Sequence, residues 1–274
     1  MKRGYKNNDF IRLADSPKER SFVYALGRGF ELLRCFGADE RFVGVAELSR
    51  RSGIPKPSVA RLAGTLVKLG YLDFSPKLSK YSLGIGVVSL GHVFLSSLSV
   101  RDKLRPLLQR LAEYAQITVS LGMGDRQSIV CIDSIRGSSV LDTRSSDIGV
   151  RLPLASTSMG RAYVAGLPEA QRHVLLEQLR DVDLHAWAKT EAGITQALYD
   201  YRLRGFCVSL GEWKKGINGV AVPFFDADGN YMVVDCSAAD FVLSKDKIEN
   251  DIGPRVINII KSISANKYNK FYRL

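Results

Sequence analysis

Two short amphipathic segments joined by a tight turn, in residues 44–69, constrain the fold of this chain more than any other feature. In the second segment, Pro55 suits a first helical turn, and apolar residues then recur at helical spacing. These residues are Val59, Leu62, Ala63, Leu66 and Leu69. Two helices joined at Ser52-Gly53 predict a helix-turn-helix, a motif that binds DNA. An ordinary surface helix in a small bundle is the alternative that amphipathicity alone leaves open.

The opposite stripe of the second helix is polar and basic, which suits a DNA groove. Arginine can contact guanine edges, hydroxyl groups can contact bases or phosphates, and lysine neutralises backbone charge. We expect Ser58, Arg61 and Thr65 to contact base edges, with basic neighbours on the phosphates. The predicted DNA-binding residues of this motif are Arg50, Arg51, Lys56, Pro57, Ser58, Arg61, Thr65 and Lys68.

A hairpin follows the motif. The short apolar and aromatic runs 71–74 and 80–83 are separated by the turn-rich stretch 75–79. A helix-turn-helix followed by a hairpin is a winged helix. We expect Lys77 and Lys80, at the tip of the wing, to meet phosphates or a minor groove.

A third helix is needed to close the core of this domain. Leu26, Phe30 and Leu33 recur at helical spacing ahead of the motif, although Gly27 and Gly29 each cost a helix interior about 1 kcal/mol. Residues 1–83 hold 16 Lys and Arg against 8 Asp and Glu, so most of the chain's net charge of +11 lies in this domain and the 20 residues before it. A basic domain attracts polyanions, but charge alone does not separate DNA from RNA or an anionic membrane.

Length and composition favour two domains and exclude a membrane span. The chain has 274 residues, 46% of them hydrophobic, which is enough for two cores. Its longest apolar stretch, 83–95, is shorter than the ~20 residues of a spanning helix. Residues 1–20 are polar and lack the apolar region of an export signal. We therefore expect a flexible leader and a cytoplasmic location.

Sites for metals, cofactors and catalysis are not indicated. Four cysteines are widely scattered without a CxxC pair, and three histidines form no cluster. The Asp226-Ala-Asp-Gly turn resembles a calcium loop, but Ser237 stands where a bidentate glutamate is required. Cys236 has no histidine nearby in sequence, and a buried cysteine is usually a small apolar residue. We expect no catalytic residue, no metal and no cofactor.

The rest of the chain predicts a linker helix and an α+β domain. We expect a flexible leader at 1–20, the winged helix at 21–83, a linker helix at 84–100 and the second domain at 101–274. The domain's first helix can hold Pro106 in its first turn only if it starts near Lys103. Strands are predicted at 117–123, 128–135, 140–144, 206–210, 219–225 and 231–237, and helices at 157–165, 168–180, 190–204 and 245–266.

A strand that ends near Pro153 passes through small hydroxyl residues into a helix. The first-turn N–H groups and the hydroxyls of Ser156, Thr157 and Ser158 could hold an anion. Simple N-capping of the helix explains the same residues.

These segments together resemble the IclR-type bacterial transcriptional regulators. The resemblance runs from about Ser21 to the C-terminal helix. The quoted motifs are AELSRRSGIPKPSVARLAGTLVKLGYL, YSLGIGVVSLG, GVRLPLASTSMGRAYVAG and RLRGFCVSLGEWKKGINGVAVPFFD. It implies a winged helix-turn-helix, a linker helix and a GAF-like effector-binding domain. Within the family, TSMGR is similar to regulators of the protocatechuate and para-hydroxybenzoate pathways.

The resemblance also implies where an effector binds. The implied residues are Thr157, Ser158, Met159, Gly160, Ser209, Gly219, Cys236 and Ala238. Members that bind small 2-oxo acids carry serines at the positions matched to Cys236 and Ala238, a cysteine at Gly219 and an acid at Ser209. Losing those polar groups favours a larger organic acid, aromatic acids included, on an apolar floor; a vestigial, empty pocket is the alternative.

The function that follows is ligand-controlled binding to a double-stranded DNA operator by a homodimer or homotetramer, with no membrane partner. Two other functions stay open. A constitutive DNA-binding protein with a purely dimerising second domain predicts no response to any ligand. An enzyme acting on a small acid predicts turnover and a catalytic base, which this sequence does not display.

Overall fold

The computed structural model describes residues 22–140, 147–182 and 187–263, which divide into two compact units. The first unit ends at Ser97 and the second begins at Leu98. The predicted leader, residues 141–144 of one predicted strand and residues 264–266 of the last predicted helix lie outside the described residues.

The first unit has the predicted winged helix-turn-helix. Its elements are α1 (Tyr24–Arg34), α2 (Val45–Ser52), α3 (Lys56–Lys68), β1 (Leu72–Ser75), β2 (Lys80–Leu83) and α4 (Gly86–Ser97). The turn after α2 needs a glycine, because Gly53 has a φ of 69° in the left-handed region. Pro55 is the N-cap of α3 and Pro57 lies in its first turn, so the helix begins after the proline expected to open it.

The core of this unit forms where α1, α2 and α3 meet the wing. Leu32, Val43, Leu48, Val59 and Leu72 are fully buried. The predicted core face of α1 is wrong: Leu26 and Phe30 are 61% and 53% exposed, and Leu33 is only partly buried. The helix instead turns Gly29, Leu32 and the residue after its end, Cys35, inwards.

The wing is a two-stranded antiparallel hairpin. Leu72 pairs with Leu83 and Ser75 with Lys80, and the rings of Phe74 and Tyr81 lie 5.0 Å apart between centroids. Val43 exchanges two backbone hydrogen bonds with Tyr81, of 2.8 and 2.9 Å, so the wing is tied to the segment before α2.

The second unit is an α+β domain built on one antiparallel sheet. Its strands are β3 (Thr118–Asp125), β4 (Ser128–Arg136), β5 (Arg151–Pro153), β6 (Cys207–Leu210), β7 (Ile217–Phe225) and β8 (Tyr231–Ala239), in the spatial order β5-β4-β3-β8-β7-β6. Its helices are α5 (Ser99–Ala115), α6 (Ser158–Gly166), α7 (Glu169–Val182), α8 (Trp187–Arg204), α9 (Lys245–Lys247) and α10 (Gly253–Ile263), and a π-helical turn at Ile248–Ile252 joins the last two.

The two faces of the sheet carry different helices. Asp133 of β4 forms ion pairs with Arg101 and Arg105 of α5, and its partner on β3 is Leu121. The next residue of β3, Gly122, lies against Met159 of α6. Because neighbouring strand residues point to opposite faces, α5 and α6 cover opposite sides of the sheet. The cleft described below lies on the α6 side.

The start of α5 differs from the prediction. The helix begins at Ser99, which leaves Pro106 inside it instead of in its first turn. Val100, Leu104, Leu108 and Leu111 are all buried at helical spacing, so packing against the sheet fixes a start one turn earlier than the proline suggested.

Across the described residues, no helix is long and apolar enough to cross a membrane.

Candidate DNA-binding surface and effector cleft

The outer face of α3 presents the predicted DNA-contacting residues. Lys56, Pro57, Arg61, Thr65 and Lys68 are exposed, and Ser58 is half-buried. The side chains of Lys56, Arg61 and Lys68 form no ion pair with any described residue, while Thr65 Oγ1 donates to Arg61 O over 3.1 Å. This face therefore has charged groups available for an external partner.

The two arginines of α2 are already engaged. Arg51 pairs with Glu40 and Glu47, and its guanidinium donates to the carbonyl of Cys35 over 2.9 Å. Arg50 donates to Glu47 over 2.7 Å. Hydrogen bonds from Arg50 and then Arg51 lower the pKa of Glu47 to about 2, so the carboxylate stays ionised. The structure makes Arg51 a bracing residue between α2 and the end of α1, so its predicted role on DNA loses support.

The wing tip carries two exposed lysines, Lys77 and Lys80, within the described residues. Ser79 between them has a φ of 51°, which closes the turn in the left-handed region. Neither lysine forms an ion pair with a described residue. Both lie in the same compact unit as α3.

A cleft in the second unit opens between the first turn of α6 and the sheet. Its enclosed cavity measures about 20 Å³, and the recess reaches about 330 Å³ only when the space open to solvent is counted. It is lined by Leu152, Thr157, Ser158, Met159, Ser209, Trp213, Ile217, Asn218, Gly219, Asp235 and Ser237. Five of the eight residues predicted from the resemblance lie here together: Thr157, Ser158, Met159, Ser209 and Gly219.

Asp235 is the charged group of the cleft, and the sequence prediction missed it. The residue is 6% exposed, and Ser158 Oγ donates to its Oδ1 over 2.5 Å. Burial raises the pKa of this carboxyl to about 6, against the opposing effect of hydrogen bonds from Ser158 and Ser237. No cationic side chain lines the cleft within the described residues. Asp235 therefore adds a buried acidic group to a lining that is otherwise largely apolar, and the expectation of an apolar floor did not include that group.

Most hydroxyl groups at the start of α6 have partners within the protein. Thr157 is the N-cap: its Oγ1 accepts from Gly160 N over 2.9 Å and donates to Pro153 O over 2.7 Å. Ser209 Oγ donates to Ser156 O over 2.8 Å. N-capping therefore explains Thr157, and the hydroxyl of Ser158 serves Asp235.

Gly219 allows that last contact. A Cβ at this position would collide with Ser158 Oγ, because β7 passes directly beside the first turn of α6. Glycine at 219 thus lets the Ser158 hydroxyl lie between the helix and the sheet and reach Asp235.

Three predicted effector residues do not line the cleft. Gly160 packs against Pro153 and Leu154, where a Cβ would meet backbone atoms. Cys236 and Ala238 lie on the opposite face of β8, because side chains alternate along a strand. Asp235 and Ser237 occupy the cleft face instead. The two residues of β8 that were matched to the family pattern were therefore each placed one position too far along the strand. Two polar residues at i and i+2 in an otherwise apolar strand are the signal that could have found them.

The other features considered for chemistry are structural. Asp226 accepts backbone hydrogen bonds from Asp228 and Asn230 over 2.9 and 2.7 Å, as a hairpin turn requires. Cys236 is fully buried, and desolvation raises the pKa of its thiol well above the ordinary value. Both features thus have structural explanations.

Comparison with known proteins gives two family matches that together span most of the chain. Residues 25–76 match the IclR helix-turn-helix domain, and residues 92–265 match the C-terminal domain of the bacterial transcriptional regulator IclR. The first match covers the helix-turn-helix and the first strand of the wing, and the second covers the cleft.

Individual relatives agree. The chain is 29% identical to the HTH-type transcriptional regulator TsaQ1/TsaQ2 of Comamonas testosteroni, over 89% of this chain and 88% of that one. It is 30% identical to the Pca regulon regulatory protein of Pseudomonas putida, over 77% and 72%. An IclR family transcriptional regulator from Brucella abortus superposes with a TM-score of 0.85 at 40% identity, over 89% and 92%.

Proposed function

Because this chain belongs to the IclR family of bacterial transcriptional regulators, we propose that α3 and the wing bind a DNA operator under the control of a small organic acid in the α6 cleft. The observation that carries the DNA part is the set of exposed basic side chains on α3 and the wing tip that form no ion pair with a described residue. The relatives are transcriptional regulators, and we propose no catalysed reaction for this chain. We propose that it acts in the cytoplasm.

The contacts divide by position on the motif. Arg61 projects from the exposed face of α3 at mid-helix, where a recognition helix meets base edges in the major groove. Ser58 and Thr65 lie near the same stripe. Lys56, Lys68, Lys77 and Lys80 are placed around it and would neutralise phosphates. Arg50 is exposed but shares Glu47, so we give it a secondary role.

Apolar side chains on α1 and α4 support self-association of the first unit. Leu26 and Phe30 of α1 are exposed, and so are Val88, Val93 and Phe94 of α4, a helix with no buried residue. Exposed apolar faces of this kind mark interaction surfaces. A second copy of the chain fits best, because paired recognition helices match operator half-sites that lie ~34–36 Å apart. We propose a homodimer, or a homotetramer built from two such dimers.

The effector part rests on the cleft. It is a concave site with a few convergent polar groups, which is the usual form of a small-molecule site. An IclR homologue from Microbacterium hydrocarbonoxydans, 18% identical to this chain and alike in fold, is complexed with 4-hydroxybenzoate.

The test is selection of bound duplexes from a random DNA pool by the full-length protein, followed by gel-shift titration of the selected site with and without organic acids. We expect a two-fold symmetric site and a change of at least fivefold in affinity with an active acid, since allosteric coupling is typically 1–3 kcal/mol. Operator binding that no acid changes would favour the constitutive alternative. Failure to select any sequence would contradict the proposal itself.

A further inference from the structure

The α6 cleft has a polarity that limits which end of a ligand can enter first. Asp235 and Ser158 lie inside, and no lysine, arginine or histidine is among the lining residues within the described part of the chain. Trp213, also a lining residue, is only partly buried, and the ammonium of the exposed Lys214 lies 4.5 Å from its ring centroid. Lys215 follows, also exposed. The cleft is thus acidic inside and basic beside Trp213.

A carboxylate pushed against Asp235 would place two acids together in a buried site. Like charges at short range cannot both remain ionised, so such a ligand would bind only with a shared proton. A hydroxyl or an ammonium would instead donate to the carboxylate. A charge-assisted hydrogen bond of this kind is about twice as strong as a neutral one.

From this geometry we infer that the effector is an organic acid carrying a hydrogen-bond donor, a hydroxyl or an ammonium, at the end opposite its carboxylate, and that the donor lies against Asp235. The inference rests on the proposed function and specifies its ligand class. The carboxylate then lies towards Trp213 and the lysines of its loop.

The groups that face Asp235 leave it as the residue that titrates near neutral pH. Ser158 faces it from α6, Ser120 is paired with it on β3, and Ala221 is paired with it on β7. Asp235 acts electrostatically on the thiols of Cys131 on β4 and of Cys236, and burial raises the pKa of both, to about 12 for Cys131. Arg161 of α6 does not line the cleft: it pairs with Glu212 and donates to the carbonyl of Val208 on β6.

Benzoate and three of its para-substituted derivatives test the inference on the full-length protein. The probes are 4-hydroxybenzoate, 4-(aminomethyl)benzoate, benzoate and terephthalate, whose second carboxylate replaces the donor. At pH 7.5 we expect at least one donor-bearing probe to bind, by calorimetry, at least tenfold more tightly than benzoate and terephthalate. As the pH falls from 7.5 to 5.5, binding of that donor probe should weaken and any binding of terephthalate should strengthen.

Two variants complete the test. D235N keeps the shape of the side chain but removes the charge, so the tenfold preference should shrink below threefold. D240N removes an exposed carboxylate at the end of the same strand and should leave the preference unchanged. The pH series on the unmodified protein answers the question even if D235N fails to fold.

Equal or tighter binding of benzoate or terephthalate at pH 7.5 would overturn the inference, and so would a preference that survives in D235N. Binding by none of the four probes would also overturn it in this form. Operator binding by the same preparation, measured without ligand, decides the DNA-binding part of the proposed function separately, so the two failures are distinguishable.

Discussion

The two candidate binding regions use charge in opposite ways. The candidate DNA-binding surface keeps basic side chains exposed and without ion pairs to described residues, as Arg61 and Lys77 show. The cleft instead buries a carboxylate, Asp235, with hydroxyl partners and no lining cation in the described part of the chain. Arg51 belongs to the same helix-turn-helix, but its guanidinium is already paired with Glu40 and Glu47. A charged side chain is therefore available to bind a partner when the fold leaves it without an opposite charge.

The largest expected effect concerns the buried carboxyl. Its pKa is raised from an ordinary 3.8 to about 6, so its contribution to folding is fully present below pH 3.8 and is lost as the pH rises through 6. Asn cannot ionise, so D235N should be more stable than the parent protein by up to roughly 3 kcal/mol above pH 7. Thermal melting from pH 5 to 8 measures the gap.

That gap should shrink as the pH falls towards 5. D240N, an exposed control, should melt like the parent protein throughout. If D235N were destabilised equally at both ends of the range, Asp235 would be a structural hydrogen-bond acceptor and the contrast between the two regions would disappear.

The next effect concerns base recognition. Arg61→Ala should weaken binding to the selected operator by about 1–3 kcal/mol and relax the sequence choice at one position in each half-site, because an arginine pairs with a guanine edge through two hydrogen bonds. Gel-shift titration against the operator and single-base variants gives both values. Uniform weakening on all sequences would instead place Arg61 on the phosphates.

Arg51 and Arg50 form a matched pair of adjacent arginines. Arg51→Ala should lower the free energy of unfolding by about 1–2 kcal/mol, since it leaves the part-buried Cys35 carbonyl and the Glu40 carboxylate without their donor, while Glu47 keeps Arg50. Arg50→Ala removes an exposed partner of Glu47 and should lower the free energy of unfolding clearly less, because solvent screens an exposed ion pair. Urea unfolding compares the two. Equal losses would show that Arg51 is not a brace.

The smallest effect concerns the wing. Lys77→Ala should weaken binding to operator and to unrelated DNA by the same factor, and should reduce the slope of log affinity against log salt by about 1. Titrations at three or more salt concentrations measure that slope. Loss confined to the operator would mean that the wing contributes to sequence choice.

The sequence predicted the first unit well, apart from one helix face. The spacing of Val59, Ala63 and Leu66 in α3 and the turn at Gly53 depend on neighbours within a few residues, and both appear in the structure. The buried face of α1 was predicted wrongly, because a short helix with apolar residues on two sides can bury either side. Only packing against α3 selects Leu32 over Leu26 and Phe30.

The cleft was predicted less completely. The α6 segment placed Thr157, Ser158 and Met159 in it, since a helix start is a local feature. On β8 the prediction fell one residue out of step and chose Cys236 and Ala238. A shift of one residue moves every side chain of a strand to the other face, so Asp235 and Ser237 were missed.

By itself the sequence determined the order of elements, the helix-turn-helix, the wing and the basic character of the first domain, because helical periodicity, turn residues and charge act between near neighbours along the chain. The tertiary structure decided which arginine is free, which side of α1 is buried and which carboxyl enters the cleft. Those outcomes depend on contacts between residues far apart in sequence, such as Ser158 with Asp235 and Arg51 with Cys35, and on strand register.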